Sequence, residues 1–147
     1  MSDPIPTPPR TLVPLSIGSM ASLRRSFSQS DVLAFGEVTG DLNPLHFEGK
    51  VAASGRFGRP IVHGMFAAGI FSKMLAMDLP GPGTVYLSQS LTFMAPLFFD
   101  TDYEFRVEVV GMRSDRPIYD LSTVCLASDG KVVIEGLAKV LFEQSPK

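Results

Sequence analysis

GMFAAGIFSKMLAMD, residues 64–78, is apolar on nearly every side when it is drawn as a helix, and only Ser72 and Lys73 interrupt it. A helix with this character is buried on most of its sides. At 1.5 Å per residue it is about 20 Å long, which is too short to span a bilayer. The segment PGPG at 80–83 ends it.

Downstream of this helix the apolar residues alternate with polar ones, most clearly in YEFRVEV at 103–109. Such alternation predicts a strand with one buried face. Three further strands are predicted, TVYLSQSLTFMAP (84–96), PIYDLSTVCLA (117–127) and KVVIEGLAKVLF (131–142). Asp129-Gly130 predicts a two-residue hairpin turn between the last two. One apolar helix followed by several strands predicts an α+β fold, with an antiparallel sheet curled around the helix.

Upstream of the helix, residues 1–15 are rich in proline and predict an extended arm. The remaining residues, 16–147, form one domain, with a possible first strand at 19–27 and a short helix at 48–54. Ser28 and Asp31 have the spacing of a capping box. The helix that they begin ends at Gly40 and is expected to place three apolar residues on one face, Val32, Phe35 and Val38.

The composition excludes several classes of protein. The 147 residues hold 13 basic and 15 acidic side chains, a net charge of −2, so no basic surface for nucleic acid is expected. With one cysteine and two histidines, a Cys/His zinc site is not expected. The first residues have neither the basic nor the apolar region of a signal peptide. We therefore expect a cytoplasmic protein that does not bind a membrane. If the source is eukaryotic, the mitochondrial matrix is the alternative location.

The loop GDLNPLHF, residues 40–47, carries the residues best suited to chemistry. Asp41 and His46 are the common general acid and base types. In a loop kinked by Pro44 their side chains can converge on one water. The alternative is that Asp41 and Asn43 serve as turn residues and that His46 is a surface histidine.

A second candidate lies where RPIVHGM (59–65) enters the buried helix. The backbone N–H of Gly64 at a helix N-terminus can stabilise a developing oxyanion, or Gly64 can merely let the chain enter a crowded core. His63 is expected to be a hydrogen-bonding structural residue. Ser72 either bonds back to a helix carbonyl or orients a catalytic group.

GDLNPLHF (40–47), FGRPIVHGMF (57–66) and LSQSLTFMAPLF (87–98) together resemble the MaoC-like (R)-specific enoyl-CoA hydratases. The likeness covers about residues 24–142. It implies the hot-dog fold, a long central helix wrapped by a curved antiparallel sheet. It also implies a homodimer of single hot-dog chains.

The resemblance also implies roles for particular residues. Asp41 and His46 match the family's catalytic pair, and Asn43 matches the asparagine that helps to hold the loop. Gly64 matches the glycine whose N–H faces the thioester oxygen. Ser72 matches a serine that hydrogen-bonds near the catalytic pair.

The implied reaction is syn addition of water to a trans-2-enoyl thioester, giving an (R)-3-hydroxyacyl thioester without a metal or redox cofactor. The substrate is an acyl-CoA or acyl-carrier-protein thioester, and Leu75 and Val140 are expected to contact its acyl tail. Such a hydratase would feed polyester synthesis or β-oxidation. The first alternative is the reverse reaction, a 3-hydroxyacyl-ACP dehydratase of fatty-acid synthesis. The second is a non-catalytic hot-dog subunit.

Overall fold

In the computed structural model, which describes residues 14–143, one antiparallel sheet wraps around a central helix. The helices are α1 (Gln29–Thr39), α2 (Lys50–Ser54) and α3 (Gly64–Met77), with a 3₁₀ turn at Pro44–His46. The strands are β1 (Met20–Arg25), β2 (Val85–Gln89), β3 (Thr92–Phe93), β4 (Tyr103–Met112), β5 (Ile118–Leu126) and β6 (Val132–Leu141). They lie in the order β1-β4-β5-β6-β2, and β3 also pairs with β6. The predicted α+β architecture is confirmed.

The central helix is α3, as expected from its apolar sequence. The inner faces of β4, β5 and β6 pack on it through alternate side chains, which are fully buried along most of each strand. Phe71 of α3 meets Phe105 of β4 edge to face, with ring centroids 5.5 Å apart. One stripe of α3 stays open, and it includes Met65 and Ser72.

The predicted arm, residues 1–15, lies almost wholly outside the described part of the chain. Its last residue, Leu15, is 8% exposed and belongs to the core. Within residues 14–143, none of the helices combines the length and the apolar character that crossing a bilayer requires.

The first helix begins as the sequence predicts. Ser28 accepts a hydrogen bond from the Asp31 N–H at 3.1 Å, and the Asp31 carboxylate accepts one from the Ser28 N–H at 3.0 Å. The predicted apolar face is wrong at one position, because Val38 is 88% exposed. At about 100° per residue, each step of three residues falls about 60° short of a full turn, so the second step, to Val38, turns away from the core. The buried face instead contains Val32 and Gly36.

The single strand predicted at 84–96 is wrong, because it divides into β2 and β3 around Ser90. The Ser90 N–H donates to the Leu137 carbonyl at 2.9 Å, and its hydroxyl accepts from the Leu137 N–H at 3.0 Å. A Cβ on Gly136 would lie 1.8 Å from the Ser90 carbonyl oxygen. The close approach of the Ser90 backbone to β6 therefore depends on that glycine.

The hairpin between β5 and β6 has a three-residue loop, and the predicted two-residue turn is wrong. The Ala127 N–H donates to the Lys131 carbonyl at 2.9 Å, and the Gly130 N–H donates to the Ala127 carbonyl at 2.9 Å. Gly130 adopts a φ of +85°. This arrangement is the turn followed by a left-handed glycine that is common in three-residue hairpins.

Candidate active site

The loop after α1 is shaped by its own short polar residues. Gly40 ends the helix with a φ of +81°, in the left-handed region. The Asp41 carboxylate then accepts from the Asn43 N–H at 3.3 Å, and the Asn43 side chain accepts from the Leu45 N–H at 3.1 Å. Asn43 thereby caps the 3₁₀ turn that ends at His46. The loop geometry follows from turn chemistry, and it sets the direction of two ionisable side chains.

Asp41, His46 and His63 lie together. One carboxylate oxygen and one ring nitrogen from each histidine all lie within 4.8 Å of one another. The imidazoles are buried, at 8% and 2% exposed, whereas half of the Asp41 side chain is accessible. One water that makes two hydrogen bonds of about 2.8 Å spans such a gap.

His46 is held as a neutral imidazole with one free nitrogen. Its Nδ1 lies 2.8 Å from the Ile61 carbonyl oxygen. Because a carbonyl can only accept, Nδ1 carries the proton, and in the neutral ring Nε2 keeps its lone pair. Burial lowers the pKa of His46 below its ordinary value of 6.5, against the opposing effect of the Ile61 hydrogen bond. Near neutral pH this side chain is therefore a proton acceptor.

His63 connects the two parts of the site. Its Nε2 donates to the backbone carbonyl of Asp41 at 2.9 Å, and its ring stacks on that of His46 with centroids 3.9 Å apart. The ring of Phe35 packs against it with centroids 4.7 Å apart. Its Nδ1 is buried and has no hydrogen-bond partner among the described residues. These contacts make His63 a support for the positions of Asp41 and His46.

The N-terminus of α3 faces the same space. Among residues 14–143, the backbone N–H groups of Gly64 and Met65 have no acceptor. They are two of the unpaired donors that every helix N-terminus presents, and the helix dipole favours negative charge there. Gly64 also packs closely on β3, because a Cβ at this position would lie 2.8 Å from Cε1 of Phe93 and the ring would have to move.

These groups open onto a cavity of about 540 Å³. Its deepest lining residues are nearly inaccessible, and its outer ones are exposed and mostly apolar. The lining residues are Asp41, His46, Arg56, Phe57, Ile61, Val62, His63, Gly64, Met65, Phe93, Met94, Ala95, Pro96 and Leu97. An apolar cavity with a few convergent polar groups is the usual form of a small-molecule site.

The structure does not bring Ser72 to this cavity. Ser72 lies eight residues after Gly64 on α3, about 12 Å along the helix axis, and it makes no hydrogen bond within the described residues. It lines a second cavity of about 340 Å³ between α3 and β2. Leu75 and Val140 are 1% and 0% exposed and line neither cavity. Their contact with an acyl tail stays a prediction.

The cluster of Asp41, His46 and His63 is also the donor set of a two-histidine, one-carboxylate metal site. The hydrogen bonds restrict this use. His63 needs a proton on Nε2 to donate to the Asp41 carbonyl, and a nitrogen that carries a proton cannot coordinate a metal, so only Nδ1 of this ring keeps a lone pair.

The cavity also contains residues that the sequence reasoning missed. Arg56 lies outside every motif, and the Ile61 carbonyl that orients His46 has no sequence signal of its own. Phe57 and Met94 lie in the stretches 57–66 and 87–98 that carry the family resemblance, but no role was predicted for either side chain.

The long helix wrapped by an antiparallel sheet is the hot-dog fold that the resemblance implied, here with a paired carboxylate and imidazole beside the helix N-terminus. The family model described as MaoC like domain matches residues 7–126. The chain therefore belongs to the MaoC-like family.

Named relatives are similar over most of their length. The (R)-specific enoyl-CoA hydratase of Aeromonas caviae is 41% identical over 126 residues, which cover 86% of this chain and 94% of the relative. A mitochondrial 3-hydroxyacyl-(acyl-carrier-protein) dehydratase of Solanum lycopersicum is 36% identical over 130 residues, covering 87% and 78%. The solved structure of an (R)-hydratase from A. caviae superposes with a TM-score of 0.85 at 40% identity, covering 88% of this chain and 98% of that one.

Proposed function

We propose that this protein is an (R)-specific enoyl-CoA hydratase, a hydro-lyase that adds water to trans-2-enoyl thioesters. The observation that carries the proposal is the placement of the Asp41 carboxylate and the His46 imidazole within 4.8 Å of each other. Both open onto a cavity beside the free N–H of Gly64. The names of relatives at 41% identity support the same reaction.

The site accounts for each step of the reaction. The thioester oxygen accepts from the Gly64 N–H, which polarises the conjugated double bond. Water held between Asp41 and His46 adds through its oxygen to C3 and gives one proton to Nε2 of His46. The Asp41 carboxylate stabilises the imidazolium that forms, and the imidazolium returns the proton to C2. Losing one oxyanion donor costs typically about 3–4 kcal/mol of transition-state stabilisation.

Because the same side chain takes the proton and returns it, both new bonds form on one face of the alkene. The expected product is an (R)-3-hydroxyacyl thioester. The pair ends in its starting protonation state, so the proposed cycle uses neither a metal nor a redox cofactor.

The reverse reaction is the second candidate function, namely dehydration of a 3-hydroxyacyl thioester on acyl-carrier protein. The similarity to the mitochondrial dehydratase of Solanum lycopersicum favours it. Its site is the same, because an enzyme that catalyses hydration also catalyses dehydration. Comparing rates on CoA and carrier-protein thioesters separates the two.

We also propose that the protein is a homodimer. In the described part of the chain, β2 is the last strand in the sheet order and has a neighbour on one side. Val85 and Leu87 on this strand are 51% and 46% exposed, and Met65 on the adjacent helix is 62% exposed. An apolar sheet edge of this kind is normally covered, and a second copy of the chain is the occupant that the family's hot-dog architecture suggests.

The test is the hydration of crotonyl-CoA, which is monitored as the loss of the enoyl absorbance. His46→Gln is expected to lower kcat about 100- to 10,000-fold, as removal of a general acid or base does. Asp41→Asn is expected to lower kcat about 100-fold or more, because it removes the charge that stabilises the imidazolium; both variants are expected to retain the fold. Asp115→Asn is the matched control, because this exposed carboxylate lies in the β4–β5 turn. Wild-type protein that hydrates no enoyl thioester, with intact folding, would instead support the non-catalytic subunit.

A further inference from the structure

The segment from Lys50 to Arg59 concentrates positive charge in an otherwise acidic chain. It contains Lys50, Arg56 and Arg59 and no aspartate or glutamate. The chain as a whole has 15 acidic against 13 basic residues. This ten-residue segment, which we call the basic rim, begins with α2 and leads to the floor of the cavity at Ile61.

Arg56 lines the cavity on its exposed side, together with Phe57 and Met94. No carboxylate lies within 4.0 Å of its guanidinium, and it makes no hydrogen bond, among residues 14–143. Arg106 and Arg113, by contrast, are each paired with a carboxylate of their own strand or turn. An unpaired guanidinium at the opening of an apolar cavity is available to an anionic ligand.

Arg59 is fixed in place although it has no carboxylate partner in the described residues. Its guanidinium carbon lies 3.5 Å from the centroid of the Phe98 ring. Phe98 pairs with Ile61 of the cavity floor. A cation–π contact orders the side chain without neutralising it, so Arg59 keeps its positive charge on the segment that leads to the cavity.

We propose that the basic rim, with Arg56 as its principal residue, binds the phosphate of the carrier that bears the thioester. This inference rests on the proposed function. When the carbonyl meets the Gly64 N–H in the cavity, the sulfur and its pantetheine arm must leave past the exposed lining residues. A guanidinium binds phosphate through two parallel hydrogen bonds. Coenzyme A and acyl-carrier protein both present a phosphate at the end of this arm, so the rim recognises chemistry common to both.

The test compares crotonyl-CoA with crotonyl-pantetheine, which has the same reacting group and no phosphate. Arg56→Ala is expected to raise KM for crotonyl-CoA about fivefold, the size of one exposed charge pair, and to leave KM for crotonyl-pantetheine within about twofold. Arg56→Lys is expected to restore part of the loss. Arg116→Ala, which removes the same charge in the β4–β5 turn away from the cavity, is expected to change neither value.

Crotonyl-carrier protein forms the third arm and identifies the source of the phosphate. If Arg56→Ala raises KM for crotonyl-CoA alone, the basic rim binds the phosphate of coenzyme A. If it raises KM for crotonyl-carrier protein alone, the rim binds the phosphate of that protein. An unchanged KM with both substrates, or an equal increase with crotonyl-pantetheine, would overturn the proposal.

A binding measurement separates this proposal from the proposed function. Calorimetric titration with free coenzyme A, and with pantetheine as the control ligand, needs no turnover. Coenzyme A is expected to bind more tightly than pantetheine, and Arg56→Ala is expected to weaken its binding about fivefold. This result supports the basic rim as a phosphate site even if no hydration is observed. Equal binding of the two ligands contradicts it even if hydration is fast.

Discussion

His46 shows how a single residue acquires its chemistry from its surroundings. The Ile61 carbonyl determines which nitrogen carries the proton, and burial lowers the pKa of the ring below 6.5. We expect kcat/KM for hydration to rise with pH along a limb whose midpoint lies below 6.5, because only the neutral ring accepts a proton. Measuring the residual rate of His46→Gln across the same range is the control, and the same limb in that variant would contradict the assignment.

The lowered pKa of His46 has a consequence for stability as well. Below pH 6.5 the unfolded chain binds a proton at this residue more readily than the folded chain does. The free energy of unfolding is therefore expected to fall as the pH falls from 6.5 through the lowered pKa of the folded state. Urea unfolding at several pH values measures this, and in His46→Gln this part of the pH dependence is absent.

His63 is expected to act through Asp41 as a positioning residue. His63→Leu removes the hydrogen bond to the Asp41 carbonyl, and a net hydrogen bond of about 1 kcal/mol corresponds to about a fivefold lower kcat. KM is expected to change little. His63→Gln retains an N–H donor and is expected to recover part of kcat; if it and His63→Leu lose kcat equally while both stay folded, the hydrogen bond has no part in positioning.

The turn roles of Asp41 and Asn43 could be predicted from sequence because turn chemistry favours few amino acids. The catalytic role of Asp41 and the oxyanion role of Gly64 stay predictions that depend on the family resemblance. The contact between His63 and the Asp41 carbonyl could not be predicted, since it joins positions 22 residues apart. The placement of Ser72 away from the pair is likewise a result of helix geometry in three dimensions.

At the scale of elements, the N-terminus of α3 must approach β3 closely. In Gly64→Ala the new methyl group would lie 2.8 Å from the Phe93 ring, so the ring must move within the cavity. We expect kcat/KM to fall about tenfold, consistent with the sensitivity of catalysis to small displacements. Adding Phe93→Ala removes the clash and is expected to recover part of the loss; no recovery in the double variant would rule out this steric explanation.

The stability of the fold depends on α3 through its buried face. Phe71 is 0% exposed and packs on Phe105. Phe71→Ala is expected to lower the free energy of unfolding by about 3–5 kcal/mol. Met77→Ala, at a residue of the same helix that is 44% exposed, is expected to change it by less than about 0.5 kcal/mol. Equal losses in denaturant unfolding would contradict the placement of the core.

The type and order of the elements could be predicted from periodicity and turn residues, and their details could not. The three-residue spacing of Val38 suggested an apolar face, but two such steps turn this residue away from the core and leave it exposed. The division of β2 from β3 depends on Ser90 crossing Gly136, a contact between distant segments.

At the scale of the whole molecule, a homodimer is expected to cover the edge of β2. Leu87→Glu places a charge in this edge and is expected to shift wild-type dimers towards monomers in sedimentation velocity. Leu33→Glu is the matched control, because this leucine of α1 is exposed to a similar extent, 45% against 46%. A fully active wild-type monomer would contradict the dimer, and equal dissociation by both variants would contradict the assigned edge.

The stereochemistry of water addition tests the central claim most directly, because one carboxylate–imidazole pair on one side of the alkene permits syn addition only, and the similarity to (R)-specific hydratases predicts the (R) configuration. Crotonyl-CoA is hydrated in deuterium oxide, and the product is analysed by NMR and by chiral chromatography. The mechanism predicts (R)-3-hydroxybutyryl-CoA with deuterium at C2 on the same face as the new hydroxyl. The rate of its formation is expected to be strongly lowered in His46→Gln. An (S) product, anti addition, or an undiminished rate in that variant would contradict it.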